Sequence, residues 1–371
     1  MILAKKVRLY PSEIQEQKLW QSVGTARFIY NWTLAKQEEN FKNGGKFIPD
    51  GTLRKEITQL KKNELNWLSD VSNNVAKQAV KDACDAYKRF FKGLSGKPRF
   101  KTKKRSKKSF YNDNVKLKVK DNKLVNIEKI GWIKTNEQLP IEVKYSNPRI
   151  SYDNKYWYIS VGIEQEENQE ELTDISLGID LGLKDLAICS DSTVYKNINK
   201  TYMVRKIEKR LKRLQKQVSR KYEKNKKGKE YVKTKNIIKL EKQIQQVHRR
   251  LAKIRNNYLH QTTTNIVKTK PYRVVIEDLA VSNMMKNKHL SDAIRKQGFY
   301  EFRRQLEYKC NFRGIKLVVA DRFYPSSKSC SQCGKIKKDL KLKDRVYKCS
   351  CGLNIDRDLN ASINLSKYKL A

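Results

Sequence analysis

Cys330-Ser-Gln-Cys333-Gly334, then Cys349-Ser-Cys351-Gly352, then Asp356-Arg-Asp358-Leu-Asn360-Ala361 follow one another near the end of this 371-residue chain. The first two stretches hold four cysteines with metal-ligand spacing. A Cys-x-x-Cys turn facing a second pair presents four thiolates tetrahedrally, about 2.3 Å from a zinc ion. Gly334 and Gly352 come directly after the pairs and permit tight turns that aim backbone amides at sulfur. The second pair is Cys-x-Cys, one residue shorter than the usual ribbon, so its geometry is tighter. Four protein ligands leave no open position, which makes the expected zinc structural rather than catalytic. Cys330, Cys333, Cys349 and Cys351 are its expected ligands. Cys84, Cys189 and Cys310 are scattered, and a disulfide framework is not expected.

The acidic stretch after the second pair belongs with two carboxylates far upstream. Asp180 ends the apolar run Ile175-Ser-Leu-Gly-Ile, and Glu277 ends Arg273-Val-Val-Ile. Each has a plain reading by itself. Asp180 can cap a turn before Gly182. Glu277 can pair with a lysine, with Asp278 as an adjacent competitor. Asp356 can be a helix N-cap. Together they sit at two strand ends and a helix start, which is where a ribonuclease-H-like fold places its metal ligands. Phosphodiester cleavage needs an activated water and a stabilised leaving oxygen, and two divalent ions about 3.5–4 Å apart supply both. Carboxylate oxygens suit hard Mg²⁺ or Mn²⁺. The pattern reads as a metal-dependent nuclease.

The charge agrees. Lys and Arg number 82 against 39 Asp and Glu, a formal net charge of +43. That excess points to a polyanion, with nucleic acid the commonest one. No apolar run reaches the length of a membrane span and no lipid-anchor motif is present. Met1–Tyr10 alternates like a strand and has no signal-peptide core. A cytoplasmic, nucleoid-associated protein of a bacterium or archaeon is expected, with no membrane and no evident obligate protein partner. The three histidines, His248, His260 and His289, argue against histidine acid–base catalysis and against a Cys-His zinc site.

Periodicity divides the chain. Residues 1–10 read as a strand and 12–95 as helical, with Leu19, Val23, Ala26, Ile29 and Trp32 at helical spacing. Gly93 to Lys108 is a basic hinge in which Phe100 and Phe110 interleave the charge, the composition of a nucleic-acid contact. Residues 114–165 alternate as a small antiparallel domain, which the N-terminal strand can close. An acidic stretch at 164–173 marks a boundary. Beyond it, Ile175–Asp180, Leu186–Cys189 and Thr193–Lys196 read as a three-stranded meander. Two long helices follow as a hairpin with a basic tip around Lys221–Lys229. A strand at Tyr272–Glu277, one helix near 291–312 and a strand at Ile315–Ala320 lead into the cysteine module.

Four stretches resemble the TnpB (OrfB) family of transposon-encoded proteins related to compact type V CRISPR effectors. They are Gly178-Ile-Asp180-Leu-Gly-Leu-Lys-Asp-Leu-Ala187, Val275-Ile-Glu277-Asp-Leu279, Tyr324-Pro-Ser-Ser-Lys-Ser-Cys330-Ser-Gln-Cys333-Gly334 and Cys349–Ala361. The N-terminal strand, the helical insert and Lys97-Pro-Arg99-Phe100-Lys101 are similar to that family too. The resemblance implies an α/β and α+β multidomain fold. Its parts would be a wedge-like β-barrel (1–10 and 96–168), a helical recognition insertion (11–95), an RNase H-like (RuvC) domain (172–325 and 356–371, with its hairpin at 202–262) and a zinc ribbon (326–355). It implies an RNA-guided DNA endonuclease whose guide RNA comes from the transposon end and whose RuvC site cuts double-stranded DNA beside a short target-adjacent motif. Asp180, Glu277 and Asp358 match the family's catalytic triad, with Asp358 preferred to Asp356 because it begins Asp-x-Asn-Ala. Arg345 resembles a basic residue near the scissile phosphate. Lys97, Arg99, Phe100 and Lys101 are expected nucleic-acid contacts. The alternatives are a nuclease-inactive RNA-guided repressor and a strand-transfer transposase.

Overall fold

The structure, a computed structural model, describes residues 1–166, 170–228, 230–341 and 344–369. Residues 167–169 of the acidic stretch and Lys229 of the basic tip lie outside the described residues. The chain divides into two compact units, Met1–Gln165 and Glu166–Ala371.

In the first unit, buried Val7 and Leu9 alternate with outward residues along strand β1 (Ile2–Tyr10). Ser12 then starts helix α1 (Glu13–Lys42) with a capping box: its hydroxyl accepts from the Gln15 amide, and the Gln15 side chain accepts from the Ser12 amide. Helices α2 (Asp50–Asn63) and α3 (Asn73–Phe91) follow. Val75, Ala79, Ala83 and Tyr87 recur every fourth residue on α3 and are all buried, forming one apolar face. Tyr30 and Leu34 of α1 share a cluster with Ala83 and Tyr87.

The chain returns through β2 (Lys108–Tyr111), β3 (Lys118–Lys120), β4 (Leu124–Ile127), β5 (Gly131–Thr135), β6 (Tyr145–Tyr152) and β7 (Trp157–Glu164). With β1 these form a seven-stranded antiparallel sheet in the order β2-β6-β7-β1-β5-β4-β3. Strand β1 thus pairs with β7 along Ile2–Leu9 and with β5 at Leu9 and Tyr10, and the three helices are an excursion between β1 and β2. Trp20 fastens α1 to the sheet, its ring meeting Tyr152 and Trp157 edge-on at 4.9 and 5.0 Å. Asp82 fastens α3, accepting both arms of Arg149 at 2.7 and 2.9 Å. Phe110 corrects the expectation of an exposed aromatic in the basic hinge. It is 3% exposed and belongs to the sheet core, because it holds the inward position of β2, and side-chain alternation outweighs the charge around it in sequence.

The second unit is built on strands β8 (Thr173–Leu181), β9 (Asp185–Cys189) and β10 (Val194–Lys196), the expected meander. Helix α4 (Tyr202–Lys224) and helix α5 (Lys235–Lys268) form the hairpin, with a small ladder of β11 (Lys226–Lys227) and β12 (Glu230–Tyr231) at its tip. Val204, Ile207 and Leu214 meet Val247 and Leu251 along the seam. Then come β13 (Pro271–Glu277), the short α6 (Val281–Met284), α7 (Ser291–Gln297), α8 (Phe299–Arg313) and β14 (Lys316–Ala320). The single helix expected near 291–312 is two helices. Gly298, at φ 71°, ends α7 in the left-handed conformation and begins α8. The last elements are β15 (Val346–Lys348), β16 (Asn354–Asp356) and α9 (Arg357–Ser366).

The five-stranded sheet runs β10-β9-β8-β13-β14; β8–β10 are antiparallel, and β13 and β14 run parallel with β8 and each other. Its two faces alternate. Leu177, Ile179, Val274 and Ile276 join the core beneath α5 and α8, with Leu259, Phe302 and Leu306. Val275, Val318 and Ala320 face the other way and meet Leu365 of α9.

Candidate active site and metal centre

Strand register places two of the three expected carboxylates. Ile179 of β8 lies opposite Ile276 of parallel β13, so the residues that follow, Asp180 and Glu277, come side by side on the α9 face at the strands' carboxyl ends. Glu277 is paired on its other side with Ala320 of β14. The third, Asp358, is in the first turn of α9. Gly178 lets that helix lie on the sheet. A Cβ there would stand 2.0 Å from the Ser362 carbonyl oxygen and 2.3 Å from the Ser366 amide nitrogen. A backbone approach this close excludes any side chain.

The carboxylates act on one another. Burial, followed by the charges of Glu277 and Asp358, pushes the Asp180 carboxyl well above its usual range, while Arg357 opposes this. Such a set of carboxylate oxygens has the chemistry to hold a hard divalent cation.

The neighbouring acids are otherwise engaged. Asp278 accepts from Arg303 at 3.3 Å and from Arg322 at 2.5 Å. Asp356 is the N-cap of α9, accepting the amides of Asp358 and Leu359 at 2.9 and 3.2 Å. Arg345 is exposed, with Nη1 4.0 Å from Asp358 Oδ2.

Glu277 has a fixed partner. Its Oε1 accepts from the hydroxyl of buried Ser326 at 2.5 Å. The Ser326 carbonyl accepts from Asn364 at 2.7 Å. Asn364 and Asn360, one turn apart on α9 and both buried, each donate to the Ser329 carbonyl at 2.7 Å. Asn360 also accepts the Ser331 amide at 3.0 Å. Two buried amides on one helix therefore grip the segment that leads into the first cysteine pair.

The four expected sulfurs come together, all within 4.8 Å of one another. Cys330–Cys351 and Cys333–Cys349 are each 3.6 Å apart, close to the roughly 3.8 Å edge of a tetrahedron with 2.3 Å zinc–sulfur bonds. Gly334 and Gly352, at φ 76° and 92°, turn the chain after each pair, and their amides donate to the carbonyls of Cys330 and Cys349. The Cys351 amide stabilises the Cys349 thiolate, and with the other sulfurs pulls that thiol down to about 6. These residues fit a structural metal ion of the zinc type.

The expected nucleic-acid residues lie in the first unit. Arg99 is exposed and Phe100 is 49% exposed. Lys97 pairs with Glu38 at 3.2 Å. Lys101 is partly buried, with its ammonium 3.5 Å from the centre of the Tyr30 ring, and Asn31 hydrogen-bonds both its amide and its carbonyl. Lys101 also lines a cleft of about 440 Å³ with Arg27, Lys107, Tyr111 and Arg149. Among the described residues, no helix is long and apolar enough to cross a membrane.

Sequence reading passed over Ser326, Asn360 and Asn364, although the first two stand inside quoted motifs. Buried polar side chains need partners, and Asn at consecutive turns among the apolar residues Leu359, Ala361, Ile363 and Leu365 was the available signal. It did not say which carbonyls they would bind.

Residues 158–288 match a family model described as "Probable transposase" of the OrfB group of IS605 elements, 299–365 match "Cas12f1-like, TNB domain", and 1–46 match "Helix-turn-helix domain". In this chain, residues 1–46 form β1, α1 and the turn after it. A relative from Escherichia coli K12, "Putative RNA-guided DNA endonuclease InsQ", is 33% identical over 98% of this chain and 91% of its own length. A relative from Streptomyces pristinaespiralis, named "Putative RNA-guided DNA endonuclease", is 32% identical over 99% and 89%. Among solved structures, the Cas12f1–sgRNA–target DNA complex is similar in fold, with a TM-score of 0.57 at 15% identity over 95% of this chain and 82% of that one.

Proposed function

This chain belongs to the TnpB (OrfB) family, and from that premise we propose that it is an RNA-guided DNA endonuclease. Its guide would be an RNA from the transposon end, and it would cut double-stranded DNA beside a short motif. The observation that carries the reading is the placement of Asp180 and Glu277 at the carboxyl ends of adjacent parallel strands, with Asp358 in the first turn of the helix that docks on Gly178. The sheet order supports a RuvC-type domain at 172–325 and 356–371, with the cysteine module at 326–355 as a zinc ribbon. Residues 1–10 and 96–168 would be the wedge-like barrel and 11–95 its recognition insertion.

Asp180, Glu277 and Asp358 would hold two Mg²⁺ or Mn²⁺ ions, which when bound supply an activated water and stabilise the leaving oxygen. The Ser326 hydroxyl holds one Glu277 oxygen, so that carboxylate is preorganised. Arg345 stands exposed beside Asp358 and would contact the scissile phosphate. The charge of +43 would hold a guide–target heteroduplex through its backbones, leaving sequence choice to base pairing. The similar fold of a Cas12f1 complex that contains guide RNA and target DNA supports those partners.

The test is to sequence the RNA that copurifies with the protein and then assay cleavage of a matched duplex in Mg²⁺. One defined RNA and a cut duplex are expected. Asp180→Ala, Glu277→Ala and Asp358→Ala should each abolish cutting and leave target binding intact. Target binding without cutting by the unmutated protein would mean a repressor, and joined transposon ends would mean a transposase.

A further inference from the structure

Two exposed aromatic rings of the second unit each lie near in sequence to an arginine that bonds Asp278, the residue after Glu277. Phe323 is 87% exposed and Tyr300, in the first turn of α8, is 73% exposed. Scattered surface aromatics are common and by themselves mean little. Three features set these apart. First, Phe323 is held out by a built turn. Its amide donates to the Asp321 carboxylate at 2.8 Å, the Tyr324 amide donates to the Asp321 carbonyl at 3.0 Å, and the Asp321 amide donates to the Tyr368 hydroxyl at 3.2 Å. Second, the turn stands at the carboxyl end of the sheet, next to Glu277: Ala320, three residues earlier, pairs with Glu277, and Ser326, three residues later, bonds it. Third, Arg303, one turn along α8 from Tyr300, and Arg322, next to Phe323, share the single carboxylate of Asp278 while their side chains remain 46% and 50% exposed. The two guanidinium groups share one carboxylate, so each keeps N–H donors free for a phosphate.

We propose that Phe323 and Tyr300, with Arg322 and Arg303, form a stacking strip for unpaired bases of a single DNA strand passing to the carboxylate site. Aromatic faces accept any base and guanidinium groups take the phosphates, a combination that suits a strand presented without regard to sequence. The strip rests on the nuclease reading for its purpose but not for its chemistry.

The experiment uses the full chain with its copurified RNA, in an Asp358→Ala background so that DNA stays intact. A fluorescein-labelled single-stranded DNA reports affinity by anisotropy, and 2-aminopurine placed in turn along the strand reports stacking by quenching. Phe323→Ala should weaken binding about tenfold and abolish the strongest quenching. Phe323→Trp should keep both, and Phe323→Leu should behave like Ala, because a flat ring rather than apolar bulk is required. Unchanged affinity in Phe323→Ala, or full rescue by Leu, overturns the strip. So does a change confined to self-association on gel filtration, which would assign the ring to a second copy of this chain. Guided cutting by the unmutated protein is scored separately. Its absence removes the nuclease reading and leaves the strip standing on the binding data; its presence alongside unaltered binding by Phe323→Ala removes the strip alone.

Discussion

The cysteine set and the carboxylate set, both in the second unit, are built in opposite ways. The sulfurs come from residues 330–351, are brought together by two tight turns, and all lie within 4.8 Å of one another. The carboxylates come from β8, β13 and α9, and among the described residues no carboxylate group converges so closely. A site closed by local turns is formed wherever its segment folds. A site closed by register and helix docking exists only when the whole sheet is in place, and burial of charge together with mutual repulsion resists its closing, as the raised Asp180 carboxyl records. The difference implies one-way dependence. The segment that enters the cysteine set is gripped by Asn360 and Asn364 and carries Ser326 to Glu277, so the carboxylate site leans on the cysteine module more than the reverse.

Cys330→Ser tests that dependence most severely. Cys330 is the buried member of the cysteine set, and if the set holds zinc its loss should lower zinc affinity by more than about 100-fold. Zinc content by mass spectrometry should fall well below one per chain, and cutting should fall with it. Normal cutting by zinc-free protein would break the proposed dependence.

Gly178→Ala tests the reverse direction. The methyl group meets backbone atoms of α9 that cannot rotate away, so destabilisation should be about 3 kcal/mol, or roughly 6–12 °C in melting temperature. Cutting should be lost while zinc stays bound. A melting curve matching the parent protein would show that α9 does not lie as closely on β8 as described.

Ser326→Ala removes one hydrogen bond to a carboxylate, worth about 1.5–3 kcal/mol, without touching a sulfur or a metal-facing acid. Cutting should slow by about tenfold or more, with zinc content near the parent value and the melting temperature lowered by only a few degrees. Restoration of the rate by high Mg²⁺ would mark Ser326 as a positioning residue, whereas a large drop in melting temperature would assign it to folding.

The smallest effect concerns pH. The Asp180 carboxyl titrates above its unfolded value, so the folded state holds its proton more tightly than the unfolded state does. The stability this contributes is full below the ordinary carboxylate range and is lost as pH rises through the raised value. Zinc-loaded protein in Mg²⁺-free buffer should therefore melt lower as pH climbs. Added Mg²⁺ should offset the fall, and Asp180→Asn should flatten the profile. An identical pH profile for Asp180→Asn and the parent would contradict the assignment.

Much of this molecule is written locally. The apolar alternation around Val7 and Ile179 and the apolar run around Val275 determined strands, and the fourfold spacing of Val75, Ala79, Ala83 and Tyr87 determined a helix, because these patterns report which sides of one element are buried. Cysteine spacing determined a closed set of four sulfurs for the same reason, since its members are separated by turns. The three acids stood out by position at strand ends and a helix start. What the tertiary structure decided was the use of each group. Asp278 and Glu277 are neighbours in sequence, yet one meets two arginines and the other meets Ser326. Phe110 sits amid lysines in sequence and in the core in space. The helix expected across 291–312 breaks at Gly298, where a Cβ would stand 3.2 Å from Leu259 of α5. Each of these outcomes depends on contacts between elements distant in the chain, and periodicity carries no information about which distant backbone a side chain will meet.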